Sequence, residues 1–72
     1  MIVMDFREWL TTKKLRSRGP VGDLARDVLT DDEAPRVPNA KEAWLRHLRE
    51  APENVVEVFE RAWAAYERAM KW

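Results

Sequence analysis

Side chains that could carry out catalysis are scarce in this chain. His47 is its only histidine and Ser17 its only serine, and cysteine is absent. A single histidine without cysteine partners makes a poor metal site, and no serine or cysteine adjoins it as a nucleophile. Acid–base catalysis by paired carboxylates would need a pocket, for which a chain of 72 residues has little room. We therefore expect no enzyme, no catalytic residue, no metal, no cofactor and no small-molecule substrate.

A run of cations in the first third of the chain could bind phosphate groups. Its members are Lys13, Lys14, Arg16 and Arg18. Arg26 and Arg7 would extend this patch if the fold brought them near. Each phosphate contact on duplex DNA would add about −0.9 to the salt slope of binding. The alternative is a solvated loop that keeps a small protein soluble, and the lack of an aromatic residue for base stacking within the run favours that alternative.

An acidic cluster follows further along the chain. Its members are Asp27, Asp31, Asp32 and Glu33. Carboxylates this close together could bind Ca²⁺ or Mg²⁺ weakly, but the ligand spacing and the central glycine of an EF-hand loop are missing. A solvated loop is the simpler interpretation. The cluster could also pair with the basic run of a neighbouring molecule, which would give weak self-association.

The composition narrows the class of protein further. Thirteen Lys and Arg balance thirteen Asp and Glu, and this neutrality argues against a dedicated non-specific nucleic-acid binder. No segment approaches the roughly 20 apolar residues of a membrane span, and the apolar stretch at residues 1–4 is too short for the core of a signal peptide. We expect a single domain over residues 1–72, in the cytoplasm and without membrane contact.

Aromatic residues are frequent for this length, with four Trp, two Phe and one Tyr. Because no disulfide can form, the packing of these rings has to stabilise the fold, and each buried ring removes about 150–250 Å² from water. Trp44 and Trp72 are candidates for partner binding, since exposed Trp is enriched among interface anchors. The predicted core rings are Phe6, Trp9, Phe59 and Trp63.

Two helices are expected in the first half of the chain. Asp5, with Glu8 three positions later, predicts the N-cap of a first helix over residues 6–12. Pro20 suits the first position of a second helix that ends at residue 29 or 30. Gly22 lies in the first turn of that second helix, where the lack of a side chain would allow another helix to approach closely.

Two further helices are predicted in the second half. Asn39, followed by Glu42, predicts the cap of the third helix. Pro52 begins the fourth and longest helix, which ends at about residues 69–71. Its apolar residues recur at helical spacing and are Val55, Val58, Phe59, Ala62, Trp63, Tyr66, Ala69 and Met70. No strand pattern occurs, so we predict an all-α, compact four-helix bundle with the fourth helix as its central element.

Four short motifs stand in order along nearly the whole chain. They are Phe6-x-x-Trp9-Leu10, Pro20-Val21-Gly22-Asp23-Leu24-Ala25-x-Asp27, the segment Asp31-Asp32-Glu33-Ala34-Pro35, and Phe59-x-x-Ala62-Trp63-x-x-Tyr66. With this set the chain resembles the YozE-like family, which consists of small bacterial proteins with a fold like the sterile alpha motif (SAM). The resemblance implies a compact bundle of four helices, and the family has no established biochemical activity.

The chain departs from the family pattern at two positions. Ala34 stands where the family usually has an aromatic residue before the second-loop proline, here Pro35, and His47 stands where the third helix often has Tyr. The small side chain of Ala34 leaves volume unfilled. We predict that Val37 or Trp44 fills it, because cores tolerate redistributed volume better than a void.

Two functional hypotheses remain open. Folds that resemble SAM commonly work through surface contacts and self-association, so the first hypothesis is a protein-interaction module. The second is a nucleic-acid-binding accessory protein that uses the basic run, with Arg26 at its edge. The neutrality of the whole chain favours the first.

Overall fold

The computed structural model describes residues 4–35 and 41–70, which form four helices. In chain order they are α1 (Phe6–Lys13), α2 (Pro20–Leu29), α3 (Lys41–His47) and α4 (Glu53–Ala69). No strand occurs in either described range. The Cα radius of gyration is 11.3 Å, close to the value of about 11 Å expected for a compact chain of this length. The predicted all-α, four-helix architecture is confirmed.

Local signals set the helix starts. The Asp5 carboxylate accepts a hydrogen bond of 2.8 Å from the backbone N–H of Glu8, so the predicted cap of α1 is confirmed. Gly19 has a φ of +85°, a positive value that glycine adopts without strain, and α2 begins at the next residue, Pro20. Pro52 immediately precedes α4 rather than opening it. The predicted cap of α3 at Asn39 lies outside the described residues.

Phe6 lies at the centre of an aromatic core. It is fully buried, and its ring centroid lies 5.0 to 6.0 Å from those of five other rings. Aromatic pairs at such separations contribute about 0.5–1.5 kcal/mol beyond their area burial. These five rings come from α1, α3 and α4, and are Trp9, Trp44, Phe59, Trp63 and Tyr66.

The helix α4 is the element that organises this core. It packs against both α1 and α2, which also pack against each other. The indole of Trp44 on α3 stacks on Phe59 of α4 with a centroid distance of 5.9 Å, and Lys41 forms an ion pair of 2.7 Å with Glu60. Both contacts join α3 to α4, so the fourth helix contacts all three others, as predicted.

Tyr66 joins the two ends of the described chain. Its hydroxyl donates a hydrogen bond of 2.6 Å to the carbonyl oxygen of Met4. Burial, and to a lesser degree the charge of Asp5, raises the pKa of Tyr66 above its usual value. The phenol therefore remains a hydrogen-bond donor at neutral pH, and it anchors the segment that leads into α1.

The departure from the family pattern at Ala34 affects the core. Ala34 is buried, and it belongs to the same buried cluster as Trp44. Val37 lies outside the described residues. That one of these two side chains fills the space beside Pro35 stays a prediction.

Candidate interaction surface

The basic run lies mainly in the loop between α1 and α2, residues 14–19, which we call the basic loop. Lys13 is the last residue of α1 rather than the first of the loop. The guanidinium of Arg26 on α2 donates a hydrogen bond of 3.1 Å to the carbonyl oxygen of Leu15 and also pairs with Asp23. The side chain of Arg26 thus holds the loop against the first turns of α2.

Gly22 allows this close approach of the loop to α2. A Cβ atom at Gly22 would overlap the backbone carbonyl oxygen of Ser17, and a backbone atom cannot move aside as the end of a flexible side chain can. A close approach at Gly22 was predicted correctly, but the prediction that a helix makes it is wrong. The neighbour is the basic loop, whose path depends on the missing side chain.

The cations of the basic run differ in their surroundings. The ammonium of Lys14 lies 5.6 Å from the ring centroid of Trp9, within cation–π range. Lys13, Arg16 and Arg18 are exposed, and none of them forms an ion pair with another described residue. These three residues are the cations of the run that a partner could contact directly.

Neither of the two further arginines adds a free charge to the run. Arg7 reaches the other end of α2, where its guanidinium donates to the carbonyl oxygens of Val28 and Asp31 at 3.2 and 3.3 Å. The condition for Arg7 to extend the patch is therefore not met, because its side chain caps the C-terminus of α2 instead. Arg26 does lie beside the loop, but its charge is compensated by Asp23.

A groove between α2 and α4 adjoins the basic loop. Its volume is about 240 Å³. Apolar side chains and acidic or amide side chains line it together, with Asp23 and Asp27 exposed. We call it the acidic groove, and its lining residues are Pro20, Asp23, Leu24, Asp27, Asn54, Val55 and Val58.

Sequence patterns alone did not reveal the acidic groove. Val55 and Val58 belong to the apolar stripe of the fourth helix, but both are only half-buried and line the groove. Periodicity indicates which face of a helix is apolar, but it cannot indicate how far along that face a neighbouring helix extends. The one sequence signal for the groove was that the apolar stripe of the fourth helix is longer than the helices that could cover it.

Of the two tryptophans proposed as partner-binding residues, the structure describes Trp44, and it is not available for that role. Trp44 is 1% exposed, and it packs between Phe6 and Phe59. That prediction is wrong, because α3 needs a large apolar side chain to attach it to the bundle. Trp72 lies outside the described residues. The most exposed large apolar side chain in the described ranges is Leu29.

His47 forms a polar contact with the acidic cluster. Its Nε2 atom lies 2.7 Å from Oδ2 of Asp31. An ionised carboxylate only accepts hydrogen bonds, so Nε2 carries the proton. This hydrogen bond, followed by that from the backbone N–H of Glu33, lowers the pKa of Asp31 against the opposing effect of burial. His47 and Asp31 thus join the end of α3 to the segment after α2.

The described acidic and histidine side chains do not converge as metal ligands would. Within residues 4–35 and 41–70, no three of them form a group that could hold an ion. Asp27 faces the acidic groove, whereas Asp31 faces His47. None of the four described helices combines the length and the apolar composition that a membrane-spanning segment requires.

These features define a class of protein, a compact SAM-like bundle of four helices with a charged groove and loop on its surface. A family model described as the YozE SAM-like fold matches residues 6–68. The match covers most of the chain, which therefore belongs to the YozE SAM-like family. Comparison of the chain with curated proteins and with solved structures finds no significant match.

Proposed function

We propose that this protein is a non-enzymatic interaction module that binds another protein through the acidic groove and the adjoining basic loop. One observation carries the proposal. The half-buried Val55 and Val58, with the buried Leu24 behind them, form an apolar surface that lies beside exposed charges of both signs. Apolar surface in a concave site contributes affinity, and placed charges contribute specificity and orientation.

The polar contacts of the described residues support a non-enzymatic role. The only histidine, His47, hydrogen-bonds Asp31 and thereby joins two segments of the fold. Ser17, the only serine, lies in the basic loop. No hydrogen bond joins His47 to Ser17 in the described structure, as a nucleophile and its general base would require. We further propose a cytoplasmic location, in keeping with a chain that has no cysteine for extracellular disulfides.

Nucleic-acid binding is the second candidate, and the exposed cations Lys13, Arg16 and Arg18 favour it. Two observations rank it lower. The chain has no net charge, and the ring of Trp9, which Lys14 covers, is buried. Bases of a single strand would therefore find no exposed aromatic ring for stacking among the described residues of the basic loop.

Photo-cross-linking in living cells, from an unnatural residue introduced into this protein, tests the proposal. We would introduce it at Asn54 in the acidic groove, at Thr12 beside the basic loop, and at Glu67 as a control, all three being exposed. Glu67 lies about 20 Å from Asn54 along α4. We expect discrete protein adducts from Asn54 and from Thr12, and none from Glu67, after irradiation and electrophoresis.

The adducts also decide between the two candidate functions. Protein adducts at Asn54 should disappear when Asp27 is changed to Lys, because the new cation would repel a basic partner. If adducts form at Thr12 alone, and if nuclease digestion removes them, the nucleic-acid function is established instead. Equal labelling of all three positions would show that neither surface is a specific site.

A further inference from the structure

The chemistry of the acidic groove indicates what kind of segment fits it. Leu24, Val55 and Val58 supply apolar surface, and Asp27 supplies a carboxylate that forms no ion pair with any described residue. Arg and Lys bury an apolar stem while keeping the charged group at the surface. The groove is therefore suited to a basic side chain that lies along it and ends at Asp27.

The basic loop of this chain, together with the last residue of α1, has that chemistry. Lys13, Arg16 and Arg18 are exposed and unpaired within the described ranges. The loop does not use its own groove, since none of its cations pairs with Asp27 of the same molecule. Arg26 holds the loop in place by donating a hydrogen bond to the carbonyl oxygen of Leu15. Its cations are therefore presented outward.

We infer that the acidic groove receives the basic loop of a second copy of this chain, and this inference rests on the proposed function. The two surfaces share a border, because Asp23 lines the groove and pairs with the arginine that holds the loop. Neighbouring surfaces of opposite charge can both be satisfied by one two-fold axis, with each loop lying on the groove of the other copy. The resulting assembly is a closed dimer rather than a filament.

The charge balance of the chain permits this association. Its formal net charge is zero, so two copies do not repel each other as wholes. The contact is small and carried largely by exposed charges, which places the dimer among weak, transient complexes. Its affinity should fall with salt, because the Debye length shortens from about 10 Å at 0.1 M to about 3 Å at 1 M.

Sedimentation velocity of the purified full chain tests the dimer directly. We expect the average mass to rise from monomer towards dimer with concentration at low salt, and to return to monomer at 1 M salt. Two charge-reversal variants should each weaken the dimer at least about tenfold, since like charges would meet at both contacts. These variants are Asp27→Lys and the double change Arg16→Glu with Arg18→Glu.

Mixing the two variants gives the decisive measurement. In an equimolar mixture, the new Lys at 27 faces the acidic loop of the other chain, and the native loop faces a native groove. We therefore expect a heterodimer at wild-type affinity. Two matched controls make the same charge changes elsewhere, Glu67→Lys and Arg61→Glu with Arg68→Glu, at exposed positions of α4. Both controls should dimerise as wild type does.

One further mixture excludes attraction between net charges. In this mixture, labelled Asp27→Lys chain is combined with the Arg61→Glu, Arg68→Glu control. The two chains have the same net charges as the pair of groove and loop variants. One of the two contacts stays repulsive, because the new Lys at 27 faces a native basic loop. The two chains should bind at least about tenfold more weakly than that pair. Equal binding in the two mixtures would overturn the inference, as would a wild-type chain that stays monomeric at every concentration.

These results separate the inference from the proposed function. A purified chain that stays monomeric, while the groove cross-links to a different protein in cells, refutes the dimer and leaves the interaction module standing. A dimer that forms with no dependence on Asp27 or on the loop cations refutes the assigned contact. A monomeric chain without protein adducts at Asn54 refutes both.

Discussion

The two glycines of the chain are required for different reasons. Gly19 has a positive φ, and a Cβ atom there would meet nothing within 4 Å. Its requirement is conformational, because side-chain-bearing residues are strained in that region. Gly22 is helical, and its requirement is space for the carbonyl of Ser17. Substitution by Ala tests these two causes separately.

Gly22→Ala should destabilise the protein by about 1–3 kcal/mol, as expected for overpacking. This loss exceeds the gain of up to about 1 kcal/mol in helix propensity. Urea unfolding measures the effect, and amide chemical shifts around Ser17 should move with it because the loop has to shift. Gly19→Ala is the comparison, with a cost of about 1–3 kcal/mol from the backbone conformation alone. A Gly22→Ala protein more stable than wild type would contradict the close approach.

Asp31 and His47 give stability a dependence on pH. The hydrogen bond from His47 lowers the folded-state pKa of Asp31 below its ordinary value of 3.8. A carboxyl whose pKa is lowered by folding contributes stability above its unfolded-state pKa, and this contribution is lost as pH falls through the folded-state pKa. The contribution should therefore be full at neutral pH and should diminish below about pH 4.

Asp31→Asn is expected to remove that part of the acid sensitivity. The variant should be less stable than wild type at neutral pH, and the difference should shrink as the pH is lowered from about 5 to 2. Thermal unfolding followed by circular dichroism at a series of pH values measures it. Asp32→Asn, at an exposed neighbouring position, is the control. A constant difference between Asp31→Asn and wild type at all pH values would contradict the linkage.

At the scale of the elements, α4 is long because it has to contact three partners. Phe59, Ala62, Trp63 and Tyr66 are all buried on one face of this helix. A short helix such as α1 or α3 is marginal on its own in water. Each depends on aromatic contacts with α4 for its stability, Phe6 of α1 and Trp44 of α3 providing them.

Trp63→Ala should therefore cost about 3–5 kcal/mol, the range for removing a large core side chain. That loss is comparable to the whole stability of a domain of this size, so we expect the helical signal to be largely lost at room temperature. Leu29→Ala is the matched control, because Leu29 is 49% exposed and its removal should change stability by about 0.5 kcal/mol or less. Native helicity in the Trp63→Ala chain would contradict the role of α4.

At the scale of the whole molecule, charges are balanced in number but separated in space. The basic loop and the adjoining end of α1 present Arg16, Arg18 and Lys13, while the acidic groove beside them presents Asp27. A dipolar surface on a neutral molecule favours association with an oppositely arranged surface. If two copies supply that surface to each other, folding and dimerisation are coupled, and the melting temperature should rise with protein concentration.

The sequence alone was sufficient to predict the four helices and most of their boundaries. Asp5, Pro20 and Pro52 act on the backbone within a few residues of themselves, so their effects do not depend on the rest of the fold. The apolar stripes likewise indicated the buried faces, and Phe6, Phe59 and Trp63 are core residues as predicted. The family motifs carried the same information about the order of the elements.

Tertiary structure alone decided which surface residues a partner can reach. The side chain of Arg7 donates a hydrogen bond at the C-terminal end of α2, and Arg26 pairs with Asp23. Trp44 is buried between the rings of Phe6 and Phe59. The acidic groove exists only because α2 covers part of the α4 stripe and leaves Val55 and Val58 half-exposed. The physical reason is range: caps and periodicity act within one helix, whereas exposure and charge pairing are set by groups distant in sequence that meet only after folding.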